Sequence, residues 1–525
     1  MSELPLLKPY ITKDEPFGPI DAFEIKTIDL RVLKLLFDKQ NRIYKLFRDR
    51  PSIIMGRRGS GKTAYLRSVY FDDRYADRIE ISTANLLTEI ARVIQELSND
   101  TVFTETLSKL WEKTLWTCAL AWLRKQNLPK STEAIIVNEY LKSMNINVED
   151  SNDAVLEKIA SMYRSEVENN PKNGLSRIMN QFDQRNFDGA KSVVATRYQA
   201  GEKRIVILLD SLEDFRLNIE SVERAIEGLL KCVGEMNNPR EVLDVRLCLP
   251  TELSGKVSGL SSNAIKDFNR QVKLEWTPKE LISVGGQRLM YYIGLYYPHL
   301  LRGKSPLDEL SRDEAHGLFR IALPEWITNQ CGFKEQTISY ILRHTQLLPR
   351  HLLIILNSIF KRSGETQLLN PFPIKEKKII YGIRQVEERI VTEIFGAFRM
   401  IHPTAEDVCK QCLPQLGHVF SMGTLRQVFT RYGKTAFHGG EFNEFRQMLI
   451  DIGAIGRVVP GLDTDVYTKG KFKYTVGHEL TVNYDAQLCL HPLFSGIYTT
   501  DGKNERPVYP DGSGVDDQDY RNIED

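Results

Sequence analysis

The sequence predicts an α/β fold built on a parallel sheet with helices on both faces, followed by a helical region and a small C-terminal domain. Three observations predict it. Short apolar runs alternate with helical patterns between Ile53 and Trp276, which is the mark that strand–helix–strand units leave in a chain. A glycine-rich turn separates the first apolar run from the helical pattern behind it. Beyond Pro278 the pattern is helical up to a proline-containing break, after which short helices and a hairpin signal follow.

Residues 1–50 hold a proline-containing lead and then a helical pattern from Ile28 to Phe47. Ser52–Met55 is short, apolar and strand-like, and it delivers the chain into Gly56. Thr63–Tyr70 reads as a helix and Arg78–Ser82 as the next strand. From about residue 83 to 200 the pattern is helical, with Trp111, Trp116 and Trp122, and reads as an insertion in the sheet domain. Its apolar run Leu115–Leu123 falls short of the roughly 18 residues that span a bilayer, so it reads as core. Arg204–Leu209, Val245–Leu249 and Val272–Trp276 are three further strands, closing a domain at 51–278.

A helical lid at 279–370 runs into the break Asn370–Pro373. The domain expected at 375–498 has helical patterns over Val386–Met400, Thr404–Leu413, Thr424–Tyr432 and Glu441–Ile452. The last carries Phe442, Phe445, Leu449 and Ile452 on one face, and Gly453 stops it. A hairpin of Ala454–Val459 returning as Lys471–Val476 completes the pattern of a winged helix. Residues 499–525 are polar and acidic and are expected to be an unstructured tail.

Composition narrows the function. At 525 residues, 42% hydrophobic and 26% charged, the chain forms several ordinary cores. A net charge of +1 lacks the basic excess of a nucleic-acid binder, so DNA contact must be argued locally. Seven cysteines scattered from Cys118 to Cys489 make no disulfide framework and fit a reducing compartment. The start shows no basic segment followed by an apolar run, so the expectation is a cytoplasmic protein without membrane contact.

The turn after the first strand reads Gly56-Arg57-Arg58-Gly59-Ser60-Gly61-Lys62-Thr63, with Ala64 next. Glycines at these positions let backbone N–H groups curl around phosphate oxygens, while Lys62 reaches the β- and γ-phosphates and the Thr63 hydroxyl binds Mg²⁺. This is the phosphate-binding loop of a P-loop NTPase, and ATP with Mg²⁺ is the expected ligand. The second half of such a site is an apolar strand ending in an acid. Ile205–Leu209 followed by Asp210 supplies it, at the strand end where open α/β sheets bind ligands. Asp210 is expected to hold Mg²⁺ and Glu213 to deprotonate the attacking water. Cys409 and Cys412, with His402 and His418 nearby, lie on an amphipathic pattern without a second ligand pair and read as buried thiols.

The run Leu208-Leu209-Asp210-Ser211-Leu212-Glu213-Asp214 resembles the signature of STAND NTPases, signal-transduction relatives of AAA+ and origin-recognition ATPases. The resemblance spans roughly residues 30–495, and only the two nucleotide motifs in it are specific. It implies an ASCE-type sheet, a helical lid and a winged helix in that order. It further implies a Pro-Arg element at Pro349-Arg350, with the proline against adenine and the arginine toward the γ-phosphate. A nucleotide-sensing polar residue is implied at Thr251 or Glu252, where the family often has Arg or Asn. Arg240 and Arg270 are candidates for an arginine finger. His491 stands where some members sense the diphosphate, but the Asp that follows in the family is Pro492 here.

Together these readings give an ATP-binding and hydrolysing switch controlling homo-oligomerisation or a separate effector protein. Bacterial members of such families often serve in defence against phage. The alternative is an AAA+-type ATPase that loads or remodels protein on DNA through its winged helix. It is disfavoured, because the helix expected to serve recognition carries Glu441, Glu444 and Asp451 against Arg446, although Lys469, Lys471 and Lys473 on the wing leave room for a weaker contact.

Overall fold

The computed structural model describes residues 4–21, 30–37, 42–47, 50–96, 104–126, 132–169, 173–210, 219–237, 241–253, 270–301, 312–329, 332–362, 371–460, 467–475, 480–499 and 505–511. The chain divides into two compact bodies. One comprises Lys39–Arg57 and Gly61–Leu274; the other comprises Met1–Asp38, Arg58–Ser60 and Glu275–Asp525.

The first body is a parallel sheet, five-stranded among the described residues. Its strands are β1 (Ile53–Gly56), β2 (Tyr75–Ser82), β3 (Arg204–Asp210), β4 (Leu243–Pro250) and β5 (Gln271–Leu274), in the order β2-β3-β4-β1-β5. Parallel strands covered on both faces become continuous apolar runs. Ile205–Leu209 is such a run, each residue at most 1% exposed. The helix predicted over Thr63–Tyr70 is present but changes character: α1 covers Lys62–Arg67, and Ser68–Phe71 tightens to 3₁₀ geometry.

Between β2 and β3 the described residues form six helices, α2 (Thr83–Glu96), α3 (Thr104–Lys125), α4 (Thr132–Ser143), α5 (Asn152–Asn169), α6 (Gly174–Gln184) and α7 (Phe187–Ala200). The apolar run of α3 is core, with Leu115, Ala119 and Leu120 at 0% exposure and Trp111 likewise. That helix lies along α8 (Glu220–Met236). The Trp111 indole donates to Ala225 O at 2.9 Å. A Cβ on Gly228 would stand 2.6 Å from the Leu107 Cβ, so the two helices approach at a distance that only glycine permits. Among the described residues no helix is long and apolar enough to cross a membrane.

In the second body, α9 (Pro278–Tyr296) starts with a capping box between Thr277 and Glu280 and proline in its first turn. It is followed by α10 (Arg312–Ala322), a two-stranded ladder of β6 (Trp326–Thr328) and β7 (Lys334–Gln336), then α11 (Thr337–Arg343), α12 (Pro349–Phe360) and α13 (Glu376–Phe398). The ladder interrupts the stretch predicted to be helical up to Arg362. Its buried Glu335 is bound by Arg343 at 3.1 and 3.2 Å and by Asn329, an arrangement that local periodicity does not encode. Phe372, in the predicted break, is buried and its ring stands 5.8 Å from Tyr297.

The remainder holds α14 (Ala405–Cys412), β8 (Val419–Ser421), α15 (Met422–Val428), α16 (Phe442–Asp451), β9 (Ile455–Val458), β10 (Thr468–Lys471), β11 (Gln487–Leu490), α17 (Pro492–Tyr498) and β12 (Val508–Pro510). These strands form a sheet in the order β12-β10-β9-β11-β8. Two expectations need correcting. The return strand of the hairpin is Thr468–Lys471 rather than Lys471–Val476, with Gly470 opposite Val458. Lys469 is buried there because Asp511 meets its ammonium at 3.3 Å, which hides a charged residue inside a strand. The 499–525 segment, expected to be unstructured, contributes β12, parallel to β10. Val508 and Tyr509 are each 3% exposed, and burial of two large apolar side chains orders a segment that is otherwise polar.

Candidate nucleotide-binding site

Gly56 is the last residue of β1, paired with Pro250 on one side and Leu274 on the other. The chain then turns through Gly59 and Gly61 with φ of +84° and +91°, left-handed values that disfavour any side chain with a Cβ. Gly61 caps α1 and its carbonyl accepts from the Tyr65 N–H at 3.0 Å. The N–H groups of the first helical turn have no carbonyl partner within the helix and carry the positive end of its dipole. Lys62 is 5% exposed, and its ammonium donates to the carbonyls of Gly56 at 3.1 Å and Arg57 at 3.2 Å. Ala64 follows, half-buried in the same turn.

Strand order determines how the acid reaches this loop. β3 is separated from β1 by β4, a span of about 10 Å at two strand spacings. The first turn of α1 closes it: the Thr63 hydroxyl donates to Asp210 Oδ2 at 3.0 Å. Asp210 ends β3. A hydroxyl and a carboxylate so placed are hard oxygen donors of the kind that hold Mg²⁺ alongside phosphate oxygens. The residues present therefore fit the ion.

Arg58, Gly59 and Ser60, at the tip of the loop, belong to the second body. Ser60 is fully buried and its carbonyl accepts from the Trp276 indole at 2.8 Å. Pro349 opens α12, and the Arg350 N–H donates to Gly59 O at 3.3 Å. A Cβ on Gly59 would stand 3.1 Å from the Arg350 Cβ. The Arg350 guanidinium is held by Asp21, Nη2 to Oδ2 at 2.8 Å. Asp21 was not legible as a site residue, since a lone aspartate in a proline-containing lead gives no signal.

The other sequence-derived candidates fall elsewhere. Glu213 and Arg240 lie outside the described residues. Thr251 and Glu252 form a 3₁₀ turn directly after β4. The Arg270 guanidinium donates to Asn237 O at 2.9 Å and its carbonyl accepts from Ser52, so it buttresses its own sheet. His491 is fully buried; it caps α17 through the Leu493 N–H and pairs with the Tyr474 hydroxyl at 2.5 Å. Cys409 and Cys412 are buried thiols, the first pushed well above its usual range by burial and the second to about 11 for the same reason. Among the described residues no group of three or more His, Cys, Asp or Glu side chains could hold a metal ion.

The lysines expected on a wing are each engaged with a carboxylate. Lys469 and Lys471 face Asp511 at 3.3 and 3.9 Å, and Lys473 meets Asp451 at 2.7 Å.

No family model matches this chain, and no curated protein matches it. Among solved structures it is similar to the Aeropyrum pernix ORC2 protein in its ADPNP-ADP complexes, at 10% identity over 90% of this chain and 93% of that one, with a TM-score of 0.35. The ADP form of the same protein gives 11% identity over 88% and 89%, with a TM-score of 0.29. Similarity at this level establishes neither fold nor activity for this chain.

Proposed function

We propose that this chain is a P-loop ATPase of the STAND type, in which bound nucleotide switches oligomerisation or the engagement of an effector protein. The observation that carries the reading is the 3.0 Å pair of Thr63 and Asp210 behind a loop with the full phosphate-binding pattern. Lys62 and the N–H groups of the first α1 turn offset the phosphate charge. Thr63 and Asp210 would hold Mg²⁺, which neutralises the charge that develops on the phosphates. Glu213 takes the proton of the attacking water as its oxygen bonds to the γ-phosphorus and the bond to the ADP oxygen breaks. The resemblance further assigns Pro349 to the adenine and Arg350 to the terminal phosphate.

The DNA-loading alternative is weakened by the wing. Phosphate contacts need cations, and Lys469, Lys471 and Lys473 each already face an acid. No nuclease, protease or other catalytic constellation accompanies the loop in the sequence, so an ATPase of this build works on a partner.

The test is the mass of the protein in solution with ADP and with a non-hydrolysable ATP analogue, with and without duplex DNA. Analogue-dependent assembly that is lost in Lys62→Ala and indifferent to DNA supports the switch. Nucleotide binding unchanged by Lys62→Ala would falsify the site, and assembly that requires DNA transfers the chain to the alternative.

A further inference from the structure

Where α11 and α13 meet the C-terminal sheet, the second body holds a cavity of about 40 Å³. His344, directly after α11, and His418, directly before β8, line it, together with Glu387 of α13, Tyr340, Arg343 and Arg384. The two histidines are 6% and 7% exposed, so neither ring reaches bulk water. Among the described residues the Nε2 atom of each is buried and has no hydrogen-bond partner. An atom so placed costs free energy unless something in the cavity meets it.

The other edge of each ring is occupied by an oxygen. His344 Nδ1 stands 2.8 Å from Glu387 Oε1, with the ring N–H off the line of a full hydrogen bond. A nitrogen and a carboxylate oxygen at that separation need a proton between them. Gly496 of α17 makes room for this carboxylate, since a Cβ there would stand 2.9 Å from both its oxygens. His418 Nδ1 lies 3.3 Å from Arg506 O, and a carbonyl only accepts, so that nitrogen carries the hydrogen. A ring whose Nδ1–H is given to a carboxylate or a carbonyl keeps a bare lone pair on Nε2, and metal-ligating histidines are held in this way. We propose that His344 and His418 bind a divalent transition ion of the Zn²⁺ class through their Nε2 atoms, tying the helices to the C-terminal sheet.

The choice of ion follows from the donors and the space. Imidazole suits Zn²⁺, Ni²⁺ and Cu²⁺, whereas Mg²⁺ and Ca²⁺ take oxygen ligands. Among the described residues no third His, Cys, Asp or Glu completes a ligand group, so water fills the remaining positions. At roughly 10–15 Å³ for each water-sized sphere, the cavity has room for an ion and two waters. With two imidazoles these make the four ligands that Zn²⁺ prefers. Arg343 is held by Glu335 at 3.1 and 3.2 Å, while Glu387 and Glu505 supply negative charge beside the two rings.

The experiment titrates Zn²⁺ into the full, metal-free chain by calorimetry, in excess Mg²⁺ to occupy oxygen-ligand sites, for wild type, His344→Ala, His418→Ala and Glu387→Gln. The expected result is one Zn²⁺ per wild-type chain. Glu387→Gln, which leaves both ligands in place, loses about tenfold in affinity, and each histidine variant loses more. Co²⁺ in place of Zn²⁺ should give a visible spectrum of nitrogen and oxygen ligation without a thiolate band. Melting curves check folding, and His344→Gln or His418→Gln, closer in size and polarity, replaces an alanine variant that fails to fold. A wild-type chain that binds no Zn²⁺ has a cavity filled by water alone, and the site is overturned. Affinity unchanged in either histidine variant, or a thiolate band with Co²⁺, puts the ion elsewhere and overturns it equally.

Discussion

Thr63 donates its hydroxyl proton to Asp210 at 3.0 Å, although the strands these residues follow and end are not neighbours. In the proposed site these are the two side chains that would hold Mg²⁺. Asp210→Asn removes the carboxylate charge while keeping the shape of the side chain. Mg²⁺-dependent nucleotide hydrolysis is expected to fall about a hundredfold, with nucleotide affinity in the presence of a chelator unchanged. Steady-state kinetics with and without Mg²⁺ checks this, and a variant that retains full turnover removes Asp210 from the site.

The two loop glycines should respond differently to alanine. Both have left-handed φ, which carries a cost of about 1–2 kcal/mol for a residue with a Cβ. At Gly61 nothing lies within 4 Å of the added atom, whereas at Gly59 it would meet Arg350 at 3.1 Å. Gly61→Ala is therefore expected to lose stability and to weaken ADP and a triphosphate analogue alike, since both place phosphates against the loop. Gly59→Ala should in addition weaken binding of a triphosphate analogue relative to ADP. Thermal melts paired with titrations separate the two.

Gly228→Ala probes the packing of α3 on α8. The added methyl would stand 2.6 Å from the Leu107 Cβ, and overpacking of this kind destabilises by about 1–3 kcal/mol. Because the opposing atom is a Cβ that alanine retains, Gly228→Ala/Leu107→Ala is not expected to recover that loss in a denaturant titration, whereas Gly228→Ala/Leu107→Gly is expected to recover part of it.

Asp451 predicts an acid limb in the stability of the C-terminal region. Burial alone would raise its carboxyl, but hydrogen bonds from His402, Lys473 and Gln447 hold it below its ordinary value of 3.8. A group lowered on folding contributes stability above its unfolded value and loses it as pH falls through the folded one. Wild-type melting should thus decline below about pH 4, and Asp451→Asn should lower stability at neutral pH while flattening that decline.

Much of the first body was legible because a parallel sheet advertises itself: Ile53–Met55 and Ile205–Leu209 are apolar throughout, and Val245–Leu249 is apolar but for Arg246. Lys62, Thr63 and Asp210 were legible because their spacing around such strands has a chemical meaning. What escaped was long-range pairing. Lys469 became a strand residue only because Asp511 neutralises it, β12 exists because Val508 and Tyr509 find a cover, and Glu335 is tolerated inside because Arg343 and the Tyr509 hydroxyl reach it. None of these partners is close in sequence. The link between Asp21 and Arg350 escaped for the same reason.

The insertion has a consequence for how the chain acquires its chemistry. β2 and β3 lie side by side, Tyr75 opposite Arg204 and Ser82 opposite Asp210, with residues 83–203 between them. Closing so long a loop is entropically unfavourable until its own helices have condensed. During synthesis the phosphate loop emerges early, while the carboxylate opposite Thr63 arrives after six helices and docks only on a finished insertion. In the proposed ATPase, competence for Mg²⁺ would therefore be a late event in the birth of the molecule, with half of that site waiting for as long as the insertion takes to fold.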